Sequence, residues 1–303
     1  MTDLVIHGLR PLAGNEMYVL REDVLPFYCG GSKARIVRKL LEDAMRRGAT
    51  ALVGYGNSRS NMCRALAMGC AEAGLKCVIV SPSDDDGTRE DAANSRIAEL
   101  CGAEVVPCAK SSAVADVVQS AMDRLRSEGE SPYYIFGDRF GKGNERTLAS
   151  AYEEVGEALC AWQSGHGIAF DRVALAVGTG ATYAGLATGL RRGGCGAKVT
   201  GFTIARQLER CVDGTREFGV DAPDVSELAL CGGYGRVSEE ELAFLSEVLR
   251  GDGVIMDPVY SGKAYWGLSR YLDAHAISGE RILFLHTGSL PLAIDWIKKG
   301  AKV

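Results

Sequence analysis

From Lys33 to Arg47 apolar residues recur at Ile36, Val37, Leu40, Leu41 and Met45, a period that predicts an amphipathic helix ended by Gly48. The apolar run Ala51-Leu-Val-Gly54 predicts a buried strand. The polar stretch Tyr55-Gly-Asn-Ser-Arg-Ser-Asn61 then leads into a helix from Met62 to Ala73. Alternation continues with a strand at Lys76–Ser81, a helix at Thr88–Leu100, a strand at Ala103–Pro107 and a helix from about Ala113 to Glu128. A strand is expected at Tyr133–Phe136, followed by a glycine-rich loop, Gly137 to Asn144, and a long helix reaching Ser164. Further strands are expected at Arg172–Val177, Lys198–Ile204, Gly253–Met256 and Arg281–Leu285, and helices at Tyr183–Arg192, Ser238–Arg250 and Gly262–His275. Strands alternating with helices over short connections predict parallel sheets covered by helices, here two doubly wound α/β units in one chain.

The length, 303 residues, accommodates two such units. With 34 Lys+Arg against 39 Asp+Glu the net charge is −5, which gives no footprint for nucleic acid or for an anionic membrane. The ten cysteines include no C-x-x-C pair, so zinc-ribbon and thioredoxin-type readings fail and no metal site is expected. The amino terminus lacks a basic segment followed by an apolar one, so a cytoplasmic protein with reduced thiols is expected. The heptad spacing of Cys63, Cys70 and Cys77 reads as small buried side chains.

Three segments carry candidate chemistry. Gly178-Thr-Gly-Ala-Thr182, between an apolar strand and a helix, suits phosphate: glycines permit a tight turn, amides converge and the helix N-terminus is positive. It is also compatible with an ordinary strand-to-helix turn. No Lys follows it, which argues against nucleoside triphosphate hydrolysis, and its glycine spacing departs from the dinucleotide fingerprint, which disfavours a nicotinamide oxidoreductase. Lys33 follows a glycine pair at a helix start. It is either a solvated lysine or an amine whose pKa is depressed toward the neutral form that Schiff-base chemistry needs. Gly56-Asn-Ser-Arg-Ser-Asn-Met62 offers hydroxyls, amides and a guanidinium at a helix N-terminus, suited to a carboxylate and a phenolic oxygen; helix capping by Ser60 or Asn61 is the alternative.

Together and in this order, the segments resemble the fold-type II pyridoxal-phosphate enzymes, the tryptophan synthase β-subunit superfamily. The similarity is to the branch that holds D-cysteine desulfhydrase and 1-aminocyclopropane-1-carboxylate deaminase. Arg21-Glu-Asp23 and Gly30-Gly-Ser-Lys-Ala-Arg35 are similar to its R/K-E-D and G-G-N-K-x-R segments. Gly56-Asn-Ser-Arg-Ser-Asn-Met-Cys-Arg64 resembles its G-x-x-Q-S-N-x-x-R loop, and Val177-Gly-Thr-Gly-Ala-Thr-Tyr-Ala-Gly-Leu186 its phosphate loop. Asp257-Pro-Val-Tyr-Ser-Gly-Lys-Ala264 and His286-Thr-Gly-Ser-Leu-Pro291 resemble its two late segments.

The resemblance implies two three-layer α/β/α domains with mostly parallel sheets, residues 1–35 plus 146–303 forming a large cofactor domain and 36–145 a smaller one inserted in it. It implies pyridoxal 5'-phosphate, bound through Lys33 as a Schiff base, with the phosphate on Gly178, Thr179, Gly180, Ala181 and Thr182. Asn61 is expected to meet the phenolic oxygen, Ser60 the substrate carboxylate, and Tyr260 and Tyr234 to line the substrate site. Ser261 stands where the cyclopropane deaminases carry a glutamate against the pyridine nitrogen, and Thr287 is a second hydroxyl for that nitrogen. A neutral partner favours β-elimination or β-replacement over ring opening. Arg59 and Met62 depart from the desulfhydrase residues; Arg59 either clamps a second acidic group or points to solvent. Ser32 and Ser289 are further departures. The expected activity is a lyase that releases ammonia and a keto acid from a small amino acid. A β-replacement synthase, the cyclopropane deaminase reaction and an inactive cofactor-binding regulator are the alternatives. A homodimer is expected.

Overall fold

The computed structural model describes residues 4–230, 233, 235–288 and 290–298. In chain order, β1 (Ile6–Leu12) and β2 (Asn15–Arg21) form a hairpin, and α1 (Ser32–Arg46), β3 (Ala51–Tyr55), α2 (Asn61–Ala73) and β4 (Lys76–Ser83) follow. Next come α3 (Ala93–Leu100), β5 (Glu104–Ala109), α4 (Val114–Ser127), β6 (Pro132–Tyr134) and α5 (Glu145–His166). Then β7 (Arg172–Val177), α6 (Ala181–Arg192), β8 (Lys198–Thr203), α7 (Leu208–Glu217) and β9 (Asp224–Ser226) lead to α8 (Glu239–Asp252). α9 (Ser261–Ala274), β10 (Arg281–His286) and α10 (Leu290–Lys298) complete the described chain.

Two compact units result. One takes the amino-terminal residues through Leu25, Gly30–Ser32 and the chain from Ala149 on; the other takes Pro26–Cys29 and Lys33–Leu148. The first is built on a six-stranded sheet in the order β1-β2-β10-β7-β8-β9, parallel except for the β1–β2 pair. The second is built on a four-stranded sheet, β5-β4-β3-β6, whose strands are all parallel. Central strands read as continuous apolar runs because helices cover both faces of a parallel sheet. Leu52, Val53 and Val80 in one unit, and Val173, Leu175, Leu283 and Phe284 in the other, are fully buried.

Several elements differ from those expected. β1 and β2 precede Lys33, where no element is expected. Their two-residue turn uses Ala13 (φ 48°) and Gly14 (φ 73°), both in the left-handed region that matches the hairpin twist. The helix expected from Thr88 begins only at Ala93, and Gly253–Met256 forms no strand, Gly253 being the left-handed C-cap of α8. Val254 and Met256 there are nevertheless buried, joining Leu245, Leu268 and Phe284 in one core, so core packing alone accounts for the apolar run. The thiols also differ from expectation, since Cys160 of α5 and Cys195 beyond α6 are joined as a disulfide with Cα atoms 5.7 Å apart. The approach of the two helices explains the pairing: a Cβ on Gly185, Gly189 or Gly156 would collide with backbone of the facing helix.

A buried ion pair lies within the six-stranded unit. Ser238 caps α8 by accepting from Glu241 N at 3.1 Å. The Glu241 side chain turns inward to lie 3.5 Å from Lys263 Nζ of α9, both side chains being 0% exposed. Lys263 also donates to the Arg236 carbonyl. Desolvation lifts the Glu241 carboxyl to about 7 from the ordinary 4.5, against the pull of Lys263. Because the folded state then holds a proton that the unfolded chain has released, stability falls as pH rises from 4.5 through about 7. Urea unfolding on either side of that window should show the fall in the wild-type chain and a flatter response in Glu241→Gln; equal slopes in both would remove Glu241 as the cause.

Candidate active site

In the four-stranded unit, Lys33 sits in the first turn of α1 with its ammonium desolvated, and burial lowers its pKa from 10.5 to about 8. A substantial neutral fraction therefore exists near physiological pH, the state that attacks a carbonyl carbon. The residues just before it in the chain belong to the six-stranded unit. Gly30 (φ 65°) and Gly31 (φ 88°) are left-handed, and a Cβ on either would strike backbone, that of Asp23 or that of Gly288. Gly31 N donates to Glu22 O at 2.7 Å and Ser32 N to Thr287 O at 2.8 Å.

Arg21, Glu22 and Asp23 serve this arrangement as structure. Arg21 grips Asp23 through two bonds, at 2.7 and 2.6 Å. Burial pushes the Asp23 carboxyl up, but Arg21 and His286 outweigh it and the group lies below its ordinary value. Glu22 is fully buried and accepts from the Tyr152 hydroxyl at 2.7 Å.

The turn from β3 to α2 holds the second group of candidates. Ser60 is the N-cap of α2, its Oγ accepting from Cys63 N at 3.2 Å. The cap consumes an acceptor site and leaves the hydroxyl proton available to an anion. Gly56 is glycine for a local reason, since a Cβ would lie 2.7 Å from Ser60 Oγ and 2.8 Å from Cys63 Sγ. Burial raises the Cys63 thiol to about 11, which keeps it protonated and unreactive. Asn61 is buried and its Oδ1 accepts from Asn94 Nδ2 at 2.9 Å. Arg59 Nε and Nη2 bond Glu90 Oε1 at 3.0 and 2.5 Å. Met62 is half-buried beside these polar groups.

The six-stranded unit holds the anion-binding candidate. β7 ends at Val177, and Gly180, at φ 97°, starts α6 with no side-chain cap, leaving first-turn amides for an external acceptor. The loop rests on α7. A Cβ on Gly180 would lie 2.8 Å from the Thr215 backbone, and one on Gly214 would lie 2.8 Å from Thr179 O. Cys211 is buried beneath the loop, its Sγ 3.1 Å from Thr203 Oγ1 and 3.6 Å from Gly178 O. Thr182 is buried and Thr179 exposed.

At the start of α9, Asp257 Oδ1 accepts from Val259 N at 3.1 Å and Tyr260 N at 2.7 Å. Its Oδ2 accepts from Ser261 N at 3.2 Å and Ser261 Oγ at 2.7 Å. Ser261 is fully buried, and with its proton committed to Asp257 its oxygen offers lone pairs. Tyr260 is partly exposed; Thr287 is likewise partly exposed and uses its carbonyl on Ser32. Tyr234 and Ser289 lie outside the described residues.

These donors fit pyridoxal phosphate: a desolvated amine for its aldehyde, a capless helix start for its phosphate and an amide for its phenol. The family model described as "Pyridoxal-phosphate dependent enzyme" matches residues 4–288. The chain belongs to this family. Pyridoxal phosphate is accordingly its cofactor, and the protein is an enzyme. D-cysteine desulfhydrase of Serratia proteamaculans is 33% identical over 92% of this chain and 88% of its own length. A bifunctional D-cysteine desulfhydrase/1-aminocyclopropane-1-carboxylate deaminase of Arabidopsis thaliana is 30% identical over 96% of this chain and 76% of its own. Among solved structures, an ACC deaminase homologue superposes with TM-score 0.83 at 25% identity, over 99% of this chain and 93% of its own.

Asn94 and Asp257 were not among the candidates. Asp257 lies four residues before Ser261 in the segment Asp257-Pro-Val-Tyr-Ser261, where its local signal is an acidic residue just ahead of a helix start. Asn94 lies 33 residues from Asn61 and carries no local signal. The amine of Lys33 generates a direct test. Capture of pyridoxal phosphate by the apoprotein, trapped with borohydride and located by mass spectrometry, should accelerate as pH rises through about 8 and vanish in Lys33→Ala. Trapping at another lysine would displace Lys33 from this role.

Proposed function

We propose that this enzyme is a lyase that removes a β-leaving group, sulfide from D-cysteine foremost, from a small amino acid, releasing ammonia and a keto acid. The amine of Lys33 carries this reading, desolvated and held down to about 8, so that after yielding its place to the substrate amino group it can take the α-proton. The named activity of relatives 30–33% identical over 92% of the chain supports the substrate.

When bound, pyridoxal phosphate supplies an aldehyde for the substrate amine and a conjugated ring that accepts the electron pair left at the α-carbon. Residues of this chain do the rest. Gly178, Thr179, Gly180, Ala181 and Thr182 hold the phosphate through first-turn amides and hydroxyls. Asn61 donates to the phenolic oxygen, and Ser60 donates its free hydroxyl proton to the substrate carboxylate, orienting the α-hydrogen toward Lys33. Tyr260 lines the substrate, and Met62 gives that lining an apolar member. As the α-proton goes to Lys33, the carbon–sulfur bond breaks and sulfide leaves with the bonding pair; the enamino acid that remains, once released, takes up water and loses ammonia to give the keto acid. Ser261, with Thr287 as a second hydroxyl, partners the pyridine nitrogen. A neutral oxygen holds a ring proton less firmly than a carboxylate, which suits elimination, where the leaving group itself accepts electrons.

Purified holoenzyme given D-cysteine should release sulfide, ammonia and pyruvate in equal amounts, and Lys33→Ala should lose at least about a thousandfold in rate, a few kcal/mol of barrier. Turnover of 1-aminocyclopropane-1-carboxylate without sulfide release from D-cysteine would favour ring opening. Keto-acid release suppressed by an added thiol or amine, with a new amino acid formed, would favour β-replacement. A spectrum unmoved by any small amino acid would favour an inactive regulator.

The same proposal places the enzyme in the cytoplasm, supported by seven free cysteines among the described residues against the single bridged pair Cys160–Cys195. Among the described residues, no helix is long and apolar enough to cross a membrane. It also takes the active form to be a homodimer, supported by the exposed apolar stripe Leu290, Ile294 and Ile297 at i, i+4 and i+7 on α10. Sedimentation should give twice the chain mass, shifting toward one chain in Ile294→Asp; a monomeric wild type with full activity would refute it.

A further inference from the structure

We propose that Asn94, in the first turn of α3, is a positioning residue that decides which end of the Asn61 carboxamide faces the phenolic oxygen of pyridoxal phosphate. The proposal rests on the reading that Asn61 meets that oxygen.

The two ends of an amide side chain are alike in shape and differ in hydrogen-bonding sense, so their identities follow from their partners. One partner is unambiguous. The backbone carbonyl of Arg59 can only accept, and it lies 2.9 Å from one terminal atom of Asn94, which is therefore Nδ2. The same nitrogen lies 2.9 Å from a terminal atom of Asn61. Its two hydrogens thus go one to each neighbour, and the Asn61 atom must be an acceptor, Oδ1. Nδ2 of Asn61 is left as a donor directed away from Asn94.

Either reversal is costly. Turning Asn61 alone would set two NH2 groups against each other, and turning both side chains would set Asn94 Oδ1 against the Arg59 carbonyl. Asn94 is 1% exposed and Asn61 9%, so water cannot relieve either repulsion. A deprotonated phenolic oxygen needs a donor and is repelled by an acceptor. The orientation is therefore transmitted from a main-chain carbonyl, which cannot rotate, through Asn94 to the amide that meets the cofactor. The bond to Arg59 O also fastens the residue preceding the Ser60 cap.

Asn94→Asp keeps the side-chain shape and replaces the donor by an acceptor. It sets a carboxylate oxygen against Arg59 O, and Asn61 can satisfy that carboxylate only by turning Nδ2 toward it and Oδ1 toward the cofactor. Cofactor affinity, measured by quenching of protein fluorescence on titrating the apoprotein, should weaken about tenfold, the loss of one oriented bond to a charged oxygen. The balance between the long- and short-wavelength absorption bands of the bound cofactor should shift toward the short one. Asn94→Ala, which removes the tether without adding charge, should weaken binding severalfold and serves if the aspartate variant does not fold; apoprotein melting temperatures report that. In an Asn61→Ala background the Asn94 substitutions should change affinity less than twofold, because their effect passes through Asn61.

Wild-type affinity and spectrum in both Asn94 variants, with Asn61→Ala impaired, would overturn the proposal alone. An equal loss in the Asn61→Ala background would also overturn it, assigning Asn94 a general packing role. Wild-type binding by Asn61→Ala would remove the underlying reading of Asn61 and this proposal with it.

Discussion

Two backbone hydrogen bonds anchor the glycine pair that precedes Lys33 in the chain. Gly31 N on Glu22 O and Ser32 N on Thr287 O fix the peptides that immediately precede Lys33, and both acceptors belong to segments held by the six-stranded sheet. The cost falls on residue choice. Two consecutive positions must be left-handed and lack a Cβ, and the Arg21-Glu-Asp23 segment must be buried, paired internally and bonded to Tyr152. The segment thus holds the glycine pair by geometry.

Helix starts are the other recurring device, and the three in use differ in what satisfies their amides. α2 is capped by Ser60, so its amides are partly spent and the hydroxyl proton is the group left to offer. α9 is capped from within by Asp257, which takes three backbone amides and a hydroxyl and so brings a negative charge to that end. α6 has a glycine and no side-chain cap, leaving its amides to whatever anion arrives. The three starts accordingly differ in what they leave to offer: a hydroxyl proton at α2, a hydroxyl oxygen at α9 and bare amides at α6.

Much of this was legible in the sequence. The strand–helix alternation announced parallel sheets, since both-face burial writes continuous apolar runs such as Arg172–Val177, and the glycine-bearing segments around Lys33, Gly56 and Gly178 were visible as punctuation. What escaped has a common physical cause. β1 alternates weakly and turns through Ala13-Gly14, a pair without the usual hairpin signature. Val254 and Met256 are apolar for the core and not for a sheet. Arg59 has its partner in Glu90, Asn61 in Asn94 and Glu22 in Tyr152, all at long sequence separation. Pairings of that kind are products of tertiary structure, and one-dimensional periodicity carries no trace of them.

The close approach of α5 and α6 has a consequence for binding as well as for packing. Gly185 and Gly189 let α6 lie against the α5 backbone so tightly that neither helix can rotate or slide without collision, and Gly180 is wedged in the same manner against α7. The amides at the head of α6 therefore have their orientation set when the chain folds. Most of the entropic cost of ordering an anion cradle is met then, and little is left to subtract from the affinity for a small, doubly charged group.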